Sequence, residues 1–471
     1  MRKRIIAALM TLCMALSLLP GQVLAAGAAQ TGGAETAKGA GRVYVNEPDA
    51  QVALLQRTTQ NPVTDEAALA AAIGQSGTVT LGADIRISST LVIPKDTYAV
   101  LDLNGYVLQM TGSGSVFRVE REGDLTVKDT STDNRAHTFT VGSDGVWALD
   151  DGGEKTVTGG VITGGNAEYG GGVYIERDGR FALEGGSIVG CQAVYTYAGG
   201  SGSGGGVRVS VDGSFEMYQD AGIYGCVASG YGEGDGSGGG VEIDGGGSGE
   251  SGTFVMHGGT IASCVAGRMG GGVGNDGVFI MEDGAIRSCS AIGYGGEEAM
   301  GGSIRFSGDM TISGGTISAP GSTGKQHIFG RGAFTISGNA QIDASMTLEG
   351  DLYADGGTVS GVVTSKGAIT GSEGAAGTTT FTKAVENEGT IRGGVFEGEV
   401  TNKEDGTIKD GTFKKKVENE GTIEGGTFEG TVRSRTRYGA QKAAVIRGGT
   451  FNGPVESYSG IENGVFAGTC L

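Results

Sequence analysis

Four of the chain's six cysteines stand at one fixed offset, and their type and spacing come nearest to chemistry. Cys191, Cys226, Cys264 and Cys289 each follow an isoleucine, Ile188, Ile223, Ile261 and Ile286, by three positions. In a repeating chain a constant offset becomes a column. Four thiols strung along a column cannot close a tetrahedron around zinc, and no Cys-x-x-Cys pair is present, so no metal is read here. Bridges between neighbours, such as Cys191 to Cys226 and Cys264 to Cys289, fall within the Cα range of a disulfide at a rung spacing of about 4.8 Å, with Cβ atoms slightly too far apart. A reduced, buried stack is the other reading, and both stay open.

An insertion follows each cysteine, at residues 192–203, 227–237, 265–269 and 290–300. Insertions at one repeat position emerge on one face of a solenoid. They carry Tyr195, Tyr197, Tyr231 and Tyr294, with Tyr169 at the comparable place in the preceding coil. Stacked tyrosines offer flat apolar rings with hydroxyl tips, suited to a sugar or a protein surface, and these five are the expected binding residues. The plainer alternative is that each ring covers a glycine-rich corner. Glu233, Asp235, Glu297 and Glu298 add acidity to that face. Gly232-Glu233-Gly234-Asp235-Gly236 is one irregular copy of a calcium-binding pattern, so no cofactor is expected.

Catalysis on a surface of this kind needs convergent carboxylates with an Arg, Lys or His as acid or base. Only His137, His257 and His327 exist, none flanked by glycine on both sides. His257 falls in the run Met256-His257-Gly258-Gly259 and reads as an exposed turn residue. Asp150-Asp151 is the best acidic pair, but adjacent strand residues point to opposite faces, and only a turn would bring the two together. No catalytic residue is assigned.

The elements that must position these residues are repeats. Gly170-Gly171-Gly172-Val173 returns as Gly204-Gly205-Gly206-Val207, Gly238-Gly239-Gly240-Val241 and Gly270-Gly271-Gly272-Val273, with a degenerate copy at Gly301-Gly302-Ser303-Ile304, every 31 to 34 residues. Short alternating runs such as Val173-Tyr174-Ile175 lie between. Each unit has an aliphatic face that it cannot cover alone, so coils stack, and an all-β parallel β-helix follows. Towards the C-terminus a shorter unit takes over. Ile391 and Phe396, Ile408 and Phe413, Ile423 and Phe428, Ile446 and Phe451, and Ile461 and Phe466 all keep an offset of five, predicting stacked Ile and Phe columns. The gap before Ile446 holds Arg433, Arg435, Arg437 and Lys442, which read as a solvated charge cluster.

At the other end, Arg2-Lys3-Arg4, the apolar run Ile5 to Leu19 and Val23-Leu24-Ala25 spell a secretory signal over residues 1–25. Residues 26–60 read as a flexible linker. A helix from Thr64 to Gly74, with Thr64 as cap and Leu69 and Ile73 on one face, is placed to cover the open end of the first coil. The expected divisions are a glycine-rich β-helix over 61–345, an irregular solenoid transition over 346–382 and short-rung repeats over 383–471. Removing the three basic residues of the signal takes the formal charge from −19 to −22. Such a surface repels nucleic acid and anionic lipid, so neither is an expected partner.

The runs Leu101-Asp102-Leu103-Asn104-Gly105-Tyr106 and Leu125-Thr126-Val127-Lys128-Asp129, followed by Gly-Gly-Gly-Val and Gly-Gly-Thr-Ile repeats, resemble right-handed parallel β-helix, adhesin-like surface proteins of Gram-positive gut bacteria. That group is pectin lyase-like in fold. The resemblance spans roughly residues 60 to 345 and carries fold motifs without a catalytic signature. It implies an extracellular, secreted or cell-surface scaffold that meets a glycan or a surface protein, with no membrane insertion once the signal is removed. The alternatives are a polysaccharide lyase or glycoside hydrolase on the same fold, and a structural spacer. Oligomeric state is not legible.

Overall fold

The computed structural model describes residues 62–471, except 197–199, 231–234, 248, 294–297, 320–326 and 372–377. The signal segment, the linker, Tyr197, Tyr231 and Tyr294 lie outside the described residues. Among the described residues the chain is an all-β parallel solenoid with one short helix near their start. That helix, α1 (Glu66–Ile73), is capped by Asp65 rather than Thr64: the Asp65 carboxylate accepts from the Ala68 N–H at 2.9 Å. Leu69 and Ile73 are buried against the first coil. Glu66 ties the helix down by accepting from the Ser88 N–H and hydroxyl at 2.7 and 2.9 Å. No described helix is long and apolar enough to cross a membrane.

Three columns of inward side chains make the core. One runs Leu91, Phe117, Val173, Val207, Val241, Val273, Ile304, Ile328, Met346, Val363, Val385, Val400, Val417, Val432 and Val455 along a single 15-stranded parallel sheet. The other two sheets merge, because strands such as Arg180–Val189 and Ser214–Tyr224 run through both. On the first of these faces Phe181, Phe215, Phe254 and Phe279 stack with ring centroids 4.6 to 5.1 Å apart. Facing them on the second are Ile188, Ile223, Ile261 and Ile286.

Parallel pairing continues among the described residues of 346–382, with a register shift between Gly338 and Gln341 against Leu352–Val359, and the two chemistries change sides there. The phenylalanine column passes through Met310, Phe334 and Leu352 to Ile369, Ile391, Ile408 and Ile423. The isoleucine column passes through Ile317, Ile342 and Val359 to Phe381, Phe396, Phe413 and Phe428. On either side of the change a rung sets one aromatic opposite one branched aliphatic, and at the change Leu352 and Val359 fill the rung without an aromatic. In the short rungs Asn387, Asn402 and Asn419 add a buried amide ladder, with Nδ2 to Oδ1 distances of 2.7 and 2.8 Å, closed by Ser434 at 3.0 Å.

One excursion leaves the solenoid. Ala136–Val141, Trp147–Leu149 and Lys155–Thr158 form an antiparallel flap whose Phe139, Trp147 and Val157 pack on Val107, Val161 and Val189. The corner residue before each stacked cysteine has positive φ, and it is Gly190, Gly225, Ser263 and Ser288 in turn. Glycine stands where the flap lies. A Cβ on Gly190 would sit 1.7 Å from the Trp147 carbonyl oxygen, and one on Gly225 2.1 Å from the indole Cγ, whereas the serines lie beyond that contact. Because serine is tolerated at this corner in the next two coils, Gly225→Ser should displace the flap without unfolding the solenoid. Trp147 is the single tryptophan, so its emission should shift to the red while strand circular dichroism is kept. An unchanged emission spectrum would refute the contact.

Candidate functional site

Tyr169 and Tyr195 come together, though not as one register column. Tyr169 precedes the first glycine triplet and shares its register position with Ser203, Ser237, Met269 and Met300. Tyr195 follows the strand Gln192–Val194 and bonds through its N–H to the Ser229 carbonyl at 3.1 Å. The insertions are therefore more than loops: their first residues form a further parallel ladder through Asn166, Gln192, Val227, Val265 and Ser290. That ladder brings the Tyr169 and Tyr195 rings to 6.4 Å, and Tyr174, which sequence reasoning passed over, sits 6.4 Å from Tyr169. The Arg208 guanidinium lies 4.2 Å above the Tyr169 ring. Tyr195 rests on Gly200, where a Cβ would come within 1.8 Å of its ring, so one of its faces does cover a glycine corner. Tyr169 remains 37% exposed.

Beside the tyrosines runs an outward column of the 15-stranded sheet: Tyr174, Arg208, Glu242, Gly274 and Arg305. Arg208 is held by Asp244 at 2.8 and 3.1 Å, and Arg305 pairs with Asp276. Glu242 is different, being only 5% exposed. It lies over Gly274, where a Cβ would meet its Oε2 at 1.9 Å, and accepts from the Ser237 hydroxyl at 2.7 Å. Burial, reinforced by the neighbouring Asp276 and Asp244, pushes its pKa up to about 8 against the opposing pull of Ser237 and Arg208. At neutral pH it is a carboxylic acid that can donate a hydrogen bond.

A second cluster lies on the outer side of the first merged face. Met217, Met256 and Met281 pair in register, so Tyr218, His257 and Glu282, which follow them, share a column. His257 is half-buried rather than the exposed turn residue expected. Its ring lies 4.8 Å from that of Tyr218, its Nδ1 2.8 Å from Glu282 Oε2, and its Nε2 3.8 Å from Glu216 Oε2. Tyr218 donates its hydroxyl to Glu216 at 2.5 Å, and burial together with that bond holds the phenol well above its ordinary range. Tyrosine, carboxylate, imidazole and carboxylate thus form one string. The signal was present in Phe215-Glu216-Met217-Tyr218, Phe254-Val255-Met256-His257 and Phe279-Ile280-Met281-Glu282, whose shared Phe-x-Met fixes the alignment.

The other sequence candidates fall elsewhere. Asp150 and Asp151 do occupy a turn, between two strands of the flap, where Asp150 is engaged through its carbonyl with Thr138 Oγ1 at 2.6 Å. Lys442 pairs with Asp405 at 2.6 Å and Arg433 with Glu456 at 3.8 Å, while Arg437 lines an acidic groove with Glu386, Glu388 and Glu404. The basic loop is thus largely answered by its own chain. His137 bonds to the Gly105 carbonyl at 3.1 Å, and burial holds the His327 pKa down. No protein-family model, curated protein or solved structure matches this chain.

Proposed function

We propose that this chain is an extracellular, secreted or cell-surface, adhesin-like scaffold of the right-handed, pectin lyase-like kind, non-catalytic, which meets a glycan or a surface protein through the edge bearing Tyr169 and Tyr195. The observation that carries this reading is the gathering of Tyr169, Tyr174 and Tyr195 beside Arg208. Aromatic faces cover the apolar side of a pyranose, and the flanking donors read its hydroxyls. A rigid solenoid supplies such a surface with little ordering to be done on binding. On a glycan array, Tyr169→Ala/Tyr195→Ala should weaken the best hits by at least about tenfold. Hits that survive the double substitution unchanged would move the contact elsewhere, and an array with no hits would favour a protein partner or a spacer.

The string from Tyr218 to Glu282 favours a second reading, a glycoside hydrolase or polysaccharide lyase. Two carboxylates on either side of one imidazole are a donor set for acid and base work on a glycosidic bond. Reducing ends released from any array hit, and lost in His257→Ala, would establish it in place of the non-catalytic reading.

A further inference from the structure

We propose that Cys191, Cys226, Cys264 and Cys289 form a soft-metal site, taking closed-shell monovalent ions such as copper(I) in two-coordinate links between the thiolates of consecutive coils. The four thiols are free and fully buried. They stack because the isoleucines three residues before them pair in register. Three of the sulfurs also reach back one coil: Cys226 to the Ile188 carbonyl at 3.9 Å, Cys264 to that of Ile223 at 3.8 Å, Cys289 to that of Ile261 at 3.9 Å.

The spacing selects among the links such a column could make. A disulfide needs sulfurs about 2.05 Å apart and Cβ atoms closer than parallel rungs hold them. Two metal–thiolate bonds of about 2.3 Å placed end to end span about 4.6 Å, close to the rung repeat of about 4.8 Å, so a linear sulfur–metal–sulfur link fits with the side chains parallel. Among the described residues no three His, Cys, Asp or Glu are grouped to hold a metal, so a link between two consecutive thiols is the coordination considered. Paired thiolates with no harder donor select soft ions.

Backbone glycines flank the column on its inner side. The third glycine of each triplet, Gly172, Gly206, Gly240 and Gly272, faces the sulfur of the same coil, and a Cβ there would stand 3.5, 3.4, 3.4 and 3.3 Å from it. Loading one ion on a pair releases both thiol protons to solvent and leaves a bis-thiolate of single negative charge. No electron is transferred, since the ion arrives as copper(I). Pairing Cys191 with Cys226 and Cys264 with Cys289 gives two ions per chain. Because the thiols are buried, loading belongs to folding.

The full chain, reduced and refolded without oxygen in copper(I) bicinchoninate, should retain about two copper ions through desalting. X-ray absorption should show two sulfur neighbours at about 2.3 Å and no lighter ligand. Cys226→Val/Cys264→Val, which removes one thiol from each pair, should lower retained copper at least about tenfold with strand circular dichroism unchanged. Should that variant fail to fold, the stoichiometry and the absorption spectrum of the unsubstituted chain decide. A folded chain without copper, or copper with oxygen or nitrogen neighbours, overturns the proposal. So does a chain that folds already bridged, lighter by about 2 Da per disulfide.

Discussion

Phe413→Ala should open the short-rung end of the solenoid by roughly 3 to 5 kcal/mol, the cost of emptying a fully packed aromatic site. Phe413 stacks on Phe396 and Phe428 at 4.8 Å on either side, with planes within 5° and 9°. Removing it strips one partner from each neighbour and leaves a void that backbone-locked rungs cannot collapse to fill. Because a solenoid is held by nearest-neighbour contacts, the loss should stay local. Hydrogen exchange should accelerate in Thr407–Phe413 and in Thr422-Ile423, while Val207–Val209 and Val241–Ile243 keep their protection. Phe466→Ala gives the contrast, since Phe466 is only partly buried and stacks on Phe451 alone among the described phenylalanines. Its effect should be less than half as large. Equal effects at the two positions would mean that the stack contributes nothing beyond burial.

That ladder was legible because period and chemistry coincide: five Ile and Phe pairs at one offset leave the chain a single register. The side change between the aromatic and aliphatic columns was not. It needs the pairing of Leu352 with Ile369 and of Val359 with Phe381, which lies across a stretch without glycine triplets to mark the coils. The flap escaped for a related reason, since Ala136–Val141 alternates like any strand and only Gly190 and Gly225 reveal what lies on them. The cysteine column followed directly from its offset. The tyrosines did not, because insertions of unequal length carry them, so Tyr169 and Tyr195 meet from opposite arms of their insertions rather than from one position. His257 does sit in a bend just past the strand Thr253–Met256, but it is half-buried because Tyr218 one coil before and Glu282 one coil after pack beside it.

Glu242 shows most clearly what a single strand conceals. In Val241-Glu242-Ile243 it alternates as an outward, solvated residue should, and Ser237, Gly238 and Gly274 close over it. Its folded pKa of about 8 stands above the ordinary 4.5, so between those values the folded chain keeps a proton that the unfolded chain has released. Stability from this residue is therefore complete below about pH 4.5, falls as pH rises through that window, and is lost above about pH 8, an integrated change on the order of 5 kcal/mol. Glu242→Gln preserves shape and an acceptor for the Ser237 hydroxyl while removing the titration. Urea unfolding midpoints of the two proteins should nearly coincide at pH 5 and diverge by pH 9, with the glutamine variant the more stable. Midpoints that stay parallel across that range would show that water reaches the carboxylate. In that case the Tyr169 edge presents an ionised acid, and a ligand bearing a cation, rather than a neutral sugar, becomes the better fit to it.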